Sequence, residues 1–176
     1  QEKSIPLAVM IELIHDASLV HDDVIDEAEL RRGIPTLHVS SGQQQLAVLF
    51  GDFLFARALI LGARYKNVKV MELISGAVLT MSQGALREFR QTFNLKQEVY
   101  LKIIREKTAD YFGIISKIAG IVQNADGEAL SQLQIFGENF GMAFQIHDDI
   151  LDYTGSSEIL KKPVNHDLSN GILTLP

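Results

Sequence analysis

Cysteine is absent from all 176 residues. That excludes disulfides, zinc held by thiolates and a cysteine nucleophile, and it fits a reducing compartment. Nowhere do four or more residues alternate apolar and polar between turn signals with β-branched enrichment, so no strand is expected. A signal peptide is not visible, because Gln1-Glu2-Lys3-Ser4 lacks the charged-then-apolar order of one. No membrane span is expected either. The apolar run from Ile5 to Val20 contains Glu12, His15 and Asp16 and reads as a buried helix. Positive charge is in short supply: the formal net charge is −6. The surface as a whole therefore does not attract nucleic acid or acidic membrane, and a bound anion must be held by local Arg and Lys or through metal.

What remains is a chain 47% hydrophobic and 22% charged, as in soluble globular proteins, and long enough for one domain with a substantial core. Helical runs follow one another. The first opens with Pro6 in its first turn and reaches about Ala28. Arg31-Arg32-Gly33-Ile34-Pro35-Thr36 breaks it. Leu46–Arg64, Val70–Arg90, Glu98–Gln123 and Glu128–Asp152 read as further helices. Asn124-Ala125-Asp126-Gly127 is a turn with Asp126 as N-cap. Tyr153 to His166 reads as a polar loop, and a helical stub starts near Asp167. The expected fold is all-α, a single domain over residues 1–176. Both ends look cut, since the chain enters directly into a buried helix and stops at Pro176 just after apolar residues.

Two near-copies dominate this layout: His21-Asp22-Asp23-Val24-Ile25-Asp26 and His147-Asp148-Asp149-Ile150-Leu151-Asp152. In each, the first and last Asp are four apart and share a helix face. Three acids this close repel one another and resist burial, and they sit at helix C-termini, where the dipole disfavours them. Something positive must compensate, and hard divalent ions bound by carboxylate oxygens are the economical answer. Arg31-Arg32 follows the first cluster, and guanidinium suits phosphate oxygens. Arg105-Glu106-Lys107-Thr108 and Lys161-Lys162-Pro163 are either solvated charge or further grips on the same anion.

With those motifs in place, the chain resembles the trans-isoprenyl diphosphate synthases of the polyprenyl synthetase family. The match runs in family order through Asp22-Asp23-Val24-Ile25-Asp26, Arg31-Arg32-Gly33, Gly51-Asp52-Phe53-Leu54, Lys107-Thr108, Phe144-Gln145, Asp148-Asp149-Ile150-Leu151-Asp152, Lys162-Pro163, Asp167-Leu168 and Thr174-Leu175-Pro176. The resemblance implies an isoprenoid-synthase helical bundle around a central cavity, with the two clusters facing each other across it. It implies that Asp22, Asp26 and Asp148 bind Mg2+, three ions per active site, with Asp23, Asp149 and Asp152 as direct or water-mediated ligands. Arg31, Lys107 and Lys162 would contact the allylic diphosphate, Arg32 the isopentenyl diphosphate, and Thr108 and Gln145 the reacting end. The implied reaction is ionisation of an allylic diphosphate, attack by the double bond of isopentenyl diphosphate, and loss of a proton.

Three departures stand out. The family's N-terminal Gly-Lys-x-x-Arg-Pro segment for isopentenyl diphosphate is absent, Lys161 stands where Gly precedes the second-cluster Lys, and Ile172 stands where most members carry Lys. The C-terminal helices are also absent. In short-chain members an aromatic residue four or five positions before the first Asp closes the product tunnel; here these positions are Ser18 and Ala17, both small. A medium- or long-chain all-trans product, of the kind used for quinone side chains, is therefore expected. The alternatives are a shorter geranylgeranyl or farnesyl product, or a non-elongating subunit of a heteromeric synthase. The family implies a homodimer or a heteromer with a small subunit, in the cytoplasm, brought to the membrane surface only by its product. A class I terpene cyclase would lack Arg31-Arg32 and a second Asp-Asp-x-x-Asp. A phosphohydrolase would need His as metal ligand, and hard Mg2+ sites prefer oxygen.

Overall fold

The computed structural model describes residues 4–90 and 96–155, with Thr174. These fall into two compact units, one up to Asn67 and one from Val68 to Gly155.

The first unit is built on α1 (Ile5–Ile25) and α3 (Gln44–Tyr65). Pro6 sits in the first turn of α1, where its missing N–H costs nothing. Leu7, Met10, Ile14 and Ala17 form its buried stripe at helical spacing. The buried residues of α3 are all small: Ala47, Gly51, Ala58 and Gly62. They let α1 pack close along it. Among the described residues α3 is the one helix long and apolar enough to cross a membrane by length and composition. The sequence expectation of no such stretch was drawn from Ile5–Val20 and did not weigh this helix.

Helix α1 ends in a Schellman motif. The Ala28 N–H reaches the Asp23 carbonyl at 3.0 Å and the Glu27 N–H reaches that of Val24 at 3.4 Å. Glu27 takes the left-handed conformation, φ 51°, that glycine more often fills. Next comes a small hairpin, β1 (Leu30–Arg31) paired antiparallel with β2 (Ile34–Pro35). Its two central residues, Arg32 and Gly33, have φ of 52° and 78°, as a two-residue hairpin turn requires. The expectation of no strand is thus corrected. Two-residue strands are too short to show alternation, and the turn chemistry lies in a single Gly. Buried Thr36 ties the hairpin to the cap by a 2.7 Å bond from Oγ1 to the Ala28 carbonyl. Helix α2 (Leu37–Ser41) then closes on left-handed Gly42.

The second unit comprises α4 (Val68–Phe89), α5 (Gln97–Ile104), a π-helical turn (Arg105–Ala109), α6 (Asp110–Val122) and α7 (Gly127–Thr154). The expected single helix over Glu98–Gln123 is therefore continuous but widened by one turn, a device found often at functional sites. Helix α6 ends on left-handed Asn124, and the Asp126 carboxylate caps α7 by accepting from the Ala129 N–H at 2.8 Å, as expected. Helix α6 packs on α4 and α7, and the wide turn packs on the same two helices. Apart from the hairpin the described fold is all-α.

Candidate functional site

In the first unit, α1 carries Asp22 and Asp23 in its last turn and Asp26 as its C-cap. The helical register holds through the cluster, because the Asp26 N–H still bonds the Asp22 carbonyl at 2.8 Å. Asp22 and Asp26 are thus stacked as the spacing requires, and both are partly exposed. Asp23 points elsewhere. It is buried, and Arg31 holds its Oδ1 through Nε at 2.7 Å and through the terminal nitrogen at 2.6 Å. The hairpin exists in part to bring this guanidinium back onto the helix that precedes it. Arg32, in the turn, is exposed.

His21 anchors the same helix end to α3. Its Nε2 donates to the Val48 carbonyl at 3.0 Å and lies 3.5 Å from Asp52 Oδ1. A side chain on Gly51 would overlap this ring. The imidazole is therefore committed to packing and to a carbonyl. Ala17, one turn before His21, is fully buried, while Ser18, one turn before Asp22, is partly exposed and bonds the His15 carbonyl at 2.8 Å.

In the second unit, α7 carries Gln145, Asp148, Asp149 and Asp152 without interruption. Asp149 and Asp152 are buried and Asp148 is partly exposed. A hydrogen-bonded chain crosses from the wide turn to this cluster. Thr108 Oγ1 donates to Gln145 Oε1 at 2.9 Å, and Gln145 Nε2 donates to Asp149 Oδ1 at 2.9 Å. Tyr100 donates its hydroxyl to the other oxygen, Oδ2, at 2.6 Å. The carboxylate accepts only, so the Gln145 amide orientation is fixed. Burial pushes the Asp149 carboxyl above the normal range; the Tyr100 and Gln145 donors pull it back in part, and neighbouring Asp148 and Glu88 push it up again.

The wide turn also sets two ion pairs with α4. Lys107 Nζ contacts Glu88 at 2.6 Å, and Arg87 Nε contacts Glu106 at 2.8 Å. Two glycines make room for the turn. A Cβ on Gly84 would lie 2.7 Å from the Lys107 backbone nitrogen, and one on Gly141 would lie 2.6 Å from Ala109 Cα. Sequence inspection found Lys107, Thr108 and Gln145 but not Tyr100, Glu88 or the wide turn. Lys161, Lys162 and Ile172 lie outside the described residues.

The donor chemistry suits a hard cation. Among the described residues no three acidic or imidazole side chains converge on one point, so neither unit offers an all-protein cage. Each instead offers an Asp pair four apart on one helix face. Such a pair fits an ion that keeps most of its coordination for water and phosphate oxygen, as Mg2+ does.

The polyprenyl synthetase family model matches residues 1–176. The chain belongs to the polyprenyl synthetase family. It is 42% identical to solanesyl diphosphate synthase 1, chloroplastic, of Arabidopsis thaliana, across 97% of this chain and 42% of that protein. It is 40% identical to heptaprenyl diphosphate synthase component 2 of Geobacillus stearothermophilus, across 97% of this chain and 53% of that one. The crystal structure of a polyprenyl synthase from Caulobacter crescentus, complexed with calcium and isoprenyl diphosphate, superposes with a TM-score of 0.95 at 38% identity, covering 100% of this chain and 54% of that one. The chain thus spans about half the length of the relatives it matches. The fold expected from the sequence, the all-α isoprenoid-synthase type, is the one observed.

Proposed function

We propose that this chain provides the diphosphate-handling part of a trans-prenyltransferase. The enzyme joins an allylic diphosphate to isopentenyl diphosphate and releases a medium- or long-chain all-trans polyprenyl diphosphate. The observation that carries this is the pair of aspartate clusters, each with an i,i+4 oxygen pair on a helix and each tied to a hydrogen-bonding partner of its own unit. Asp22 and Asp26 would hold Mg2+ on the first unit and Asp148 and Asp152 on the second, three ions in all, as the family resemblance implies. When bound, the metal offsets charge on the departing diphosphate, which is largest in the transition state.

The chain's own residues do the rest. Arg31 holds Asp23 by two nitrogens, and it shares its remaining donors with the diphosphate. Lys107 exchanges Glu88 for phosphate oxygen, Arg32 meets isopentenyl diphosphate, and Lys162 adds a further cation. Thr108 and Gln145 line the reacting end. Small Ala17 and Ser18 leave the hydrocarbon path open below the first cluster, which favours a long product over a farnesyl or geranylgeranyl one. The name of the Geobacillus relative, a component, supports a heteromer with a small subunit as a second assembly beside the homodimer. The cytoplasm is its proposed place of work.

The test is product analysis of the full-length protein with farnesyl diphosphate, isopentenyl diphosphate and Mg2+. Chains longer than the C20 product, and diphosphate release that requires both substrates, are expected. Diphosphate release from farnesyl diphosphate alone would replace this function with a cyclase or hydrolase.

A further inference from the structure

We infer that Tyr100 is a positioning residue for the second aspartate cluster, acting through Asp149. The inference rests on the proposed role of that cluster in binding Mg2+ and diphosphate. Tyr100 is buried, 4% exposed, among apolar residues of α5. A phenylalanine would fill that space without a hydroxyl to satisfy, so the hydroxyl must answer to a polar partner. That partner is Asp149 Oδ2 at 2.6 Å.

Asp149 Oδ1 is meanwhile taken by Gln145 at 2.9 Å. Both oxygens of this carboxylate are thus engaged by protein donors, one from Tyr100 on α5 and one from Gln145 on α7, which Thr108 of the wide turn holds in its turn. Such an acid orients rather than ligates. It pins the rotation of the α7 turn from which Asp148 and Asp152 project, as outer partners of metal ligands do.

The wide turn makes this double grip possible. In an unbroken α-helix Tyr100 and Thr108 would sit about 80° apart around the axis. The extra residue in the turn sets Thr108 back by about one residue's rotation, bringing both onto the α7 side. The two then meet Asp149 and Gln145, which are themselves four apart on one face of α7.

The experiment is calorimetric titration of the full-length protein with inorganic diphosphate at fixed Mg2+, for wild type, Tyr100→Phe, Asp149→Asn and the double variant, with thermal midpoints measured without ligand. Tyr100→Phe keeps the packing. It is expected to weaken binding about tenfold while moving the ligand-free midpoint by no more than a few degrees. Once Asp149 is Asn, the same change should cost less than twofold further. Unchanged binding in Tyr100→Phe overturns the inference, as does an equal loss in both backgrounds, which would place the hydroxyl's role elsewhere. Weaker binding accompanied by a collapse of the ligand-free midpoint also overturns it, since the role would then be structural. If wild type itself fails to bind Mg2+ with diphosphate, the proposed function of the cluster falls, and the inference with it.

Discussion

Replacing Gly51 by Ala asks how tightly the first aspartate cluster is fastened to the helix beneath it. Gly51 is buried on α3, and the His21 ring occupies the volume its side chain would need. The added methyl has two outcomes. The ring can swing away, losing its 3.0 Å bond to the Val48 carbonyl and its tilted contact with Phe55 at 5.9 Å between centroids. Alternatively α1 and α3 move apart. A lost hydrogen bond costs about 1 kcal/mol and overpacking typically ~1–3 kcal/mol, for a total of roughly 2–4 kcal/mol. For a chain of this size that lowers the thermal midpoint by roughly 4–16 °C. Because His21 adjoins Asp22, the Mg2+ concentration for half-maximal activity should rise as well. Gly76→Ala is the control, since nothing lies within 4 Å of the added Cβ. There the midpoint should hold or rise, alanine being the better helix former by about 0.5–1 kcal/mol. The decisive comparison is Gly51→Ala in a His21→Ala background. If the methyl costs as much there as in wild type, the ring is not the obstacle and the reasoning fails.

Glu27→Gly should stabilise the protein by about 0.5–1 kcal/mol, read as a midpoint some 1–4 °C higher, because it relieves a left-handed non-glycine residue at the end of α1; a lower midpoint refutes the cap assignment. Asp110 lines a cavity of about 340 Å³ with Glu72 and Glu138, and its carboxyl is pushed up by burial first and by Glu138 next, with Arg105 opposing and Glu106 adding. The cost of ionising it is fully present at neutral pH and relieved as pH falls through its raised folded value toward 3.8. Asp110→Asn should therefore raise the midpoint at pH 7 by the equivalent of less than about 1 kcal/mol, since the group is half-exposed, and the gain should shrink toward pH 4; a gain independent of pH counts against this. Ser18→Phe and Ala17→Phe should both shorten the product on chromatography, the second also lowering the midpoint through overpacking by about 1–3 kcal/mol; unchanged product length in both removes these positions as length determinants.

Helix content, the Asp126 cap and the register of both aspartate clusters were legible because each depends on neighbours in sequence. The wide turn was not read from the sequence, although it leaves a trace there. Its trace is the spacing of the buried residues Tyr100, Ile104, Ala109 and Gly113, where a step of five replaces a step of four. Averaged over a long apolar helix, one odd step disappears into the period. The hairpin at Leu30–Pro35 was hidden for a different reason. Its strands are too short to alternate, and the turn is set by positive φ at Arg32 as much as at Gly33. Nor does sequence reveal which acid of a cluster turns inward. The family resemblance implies a direct or water-mediated ligand role for Asp23 and a diphosphate contact for Arg31, and the structure adds a bond between the two.

That last point separates the two clusters physically. Both place three carboxylates within five residues, and both bury at least one. The first answers burial with a cation of its own unit, since Arg31 meets Asp23 with two nitrogens and offsets its charge on the spot. The second answers at Asp149 with neutral donors, a phenol and an amide. Neutral donors satisfy lone pairs but leave the net charge in place, which is why burial still dominates the Asp149 carboxyl and holds it above its normal range. The buried acid of the first cluster is thus held by charge and that of the second by hydrogen bonds, although from sequence the two positions appear interchangeable.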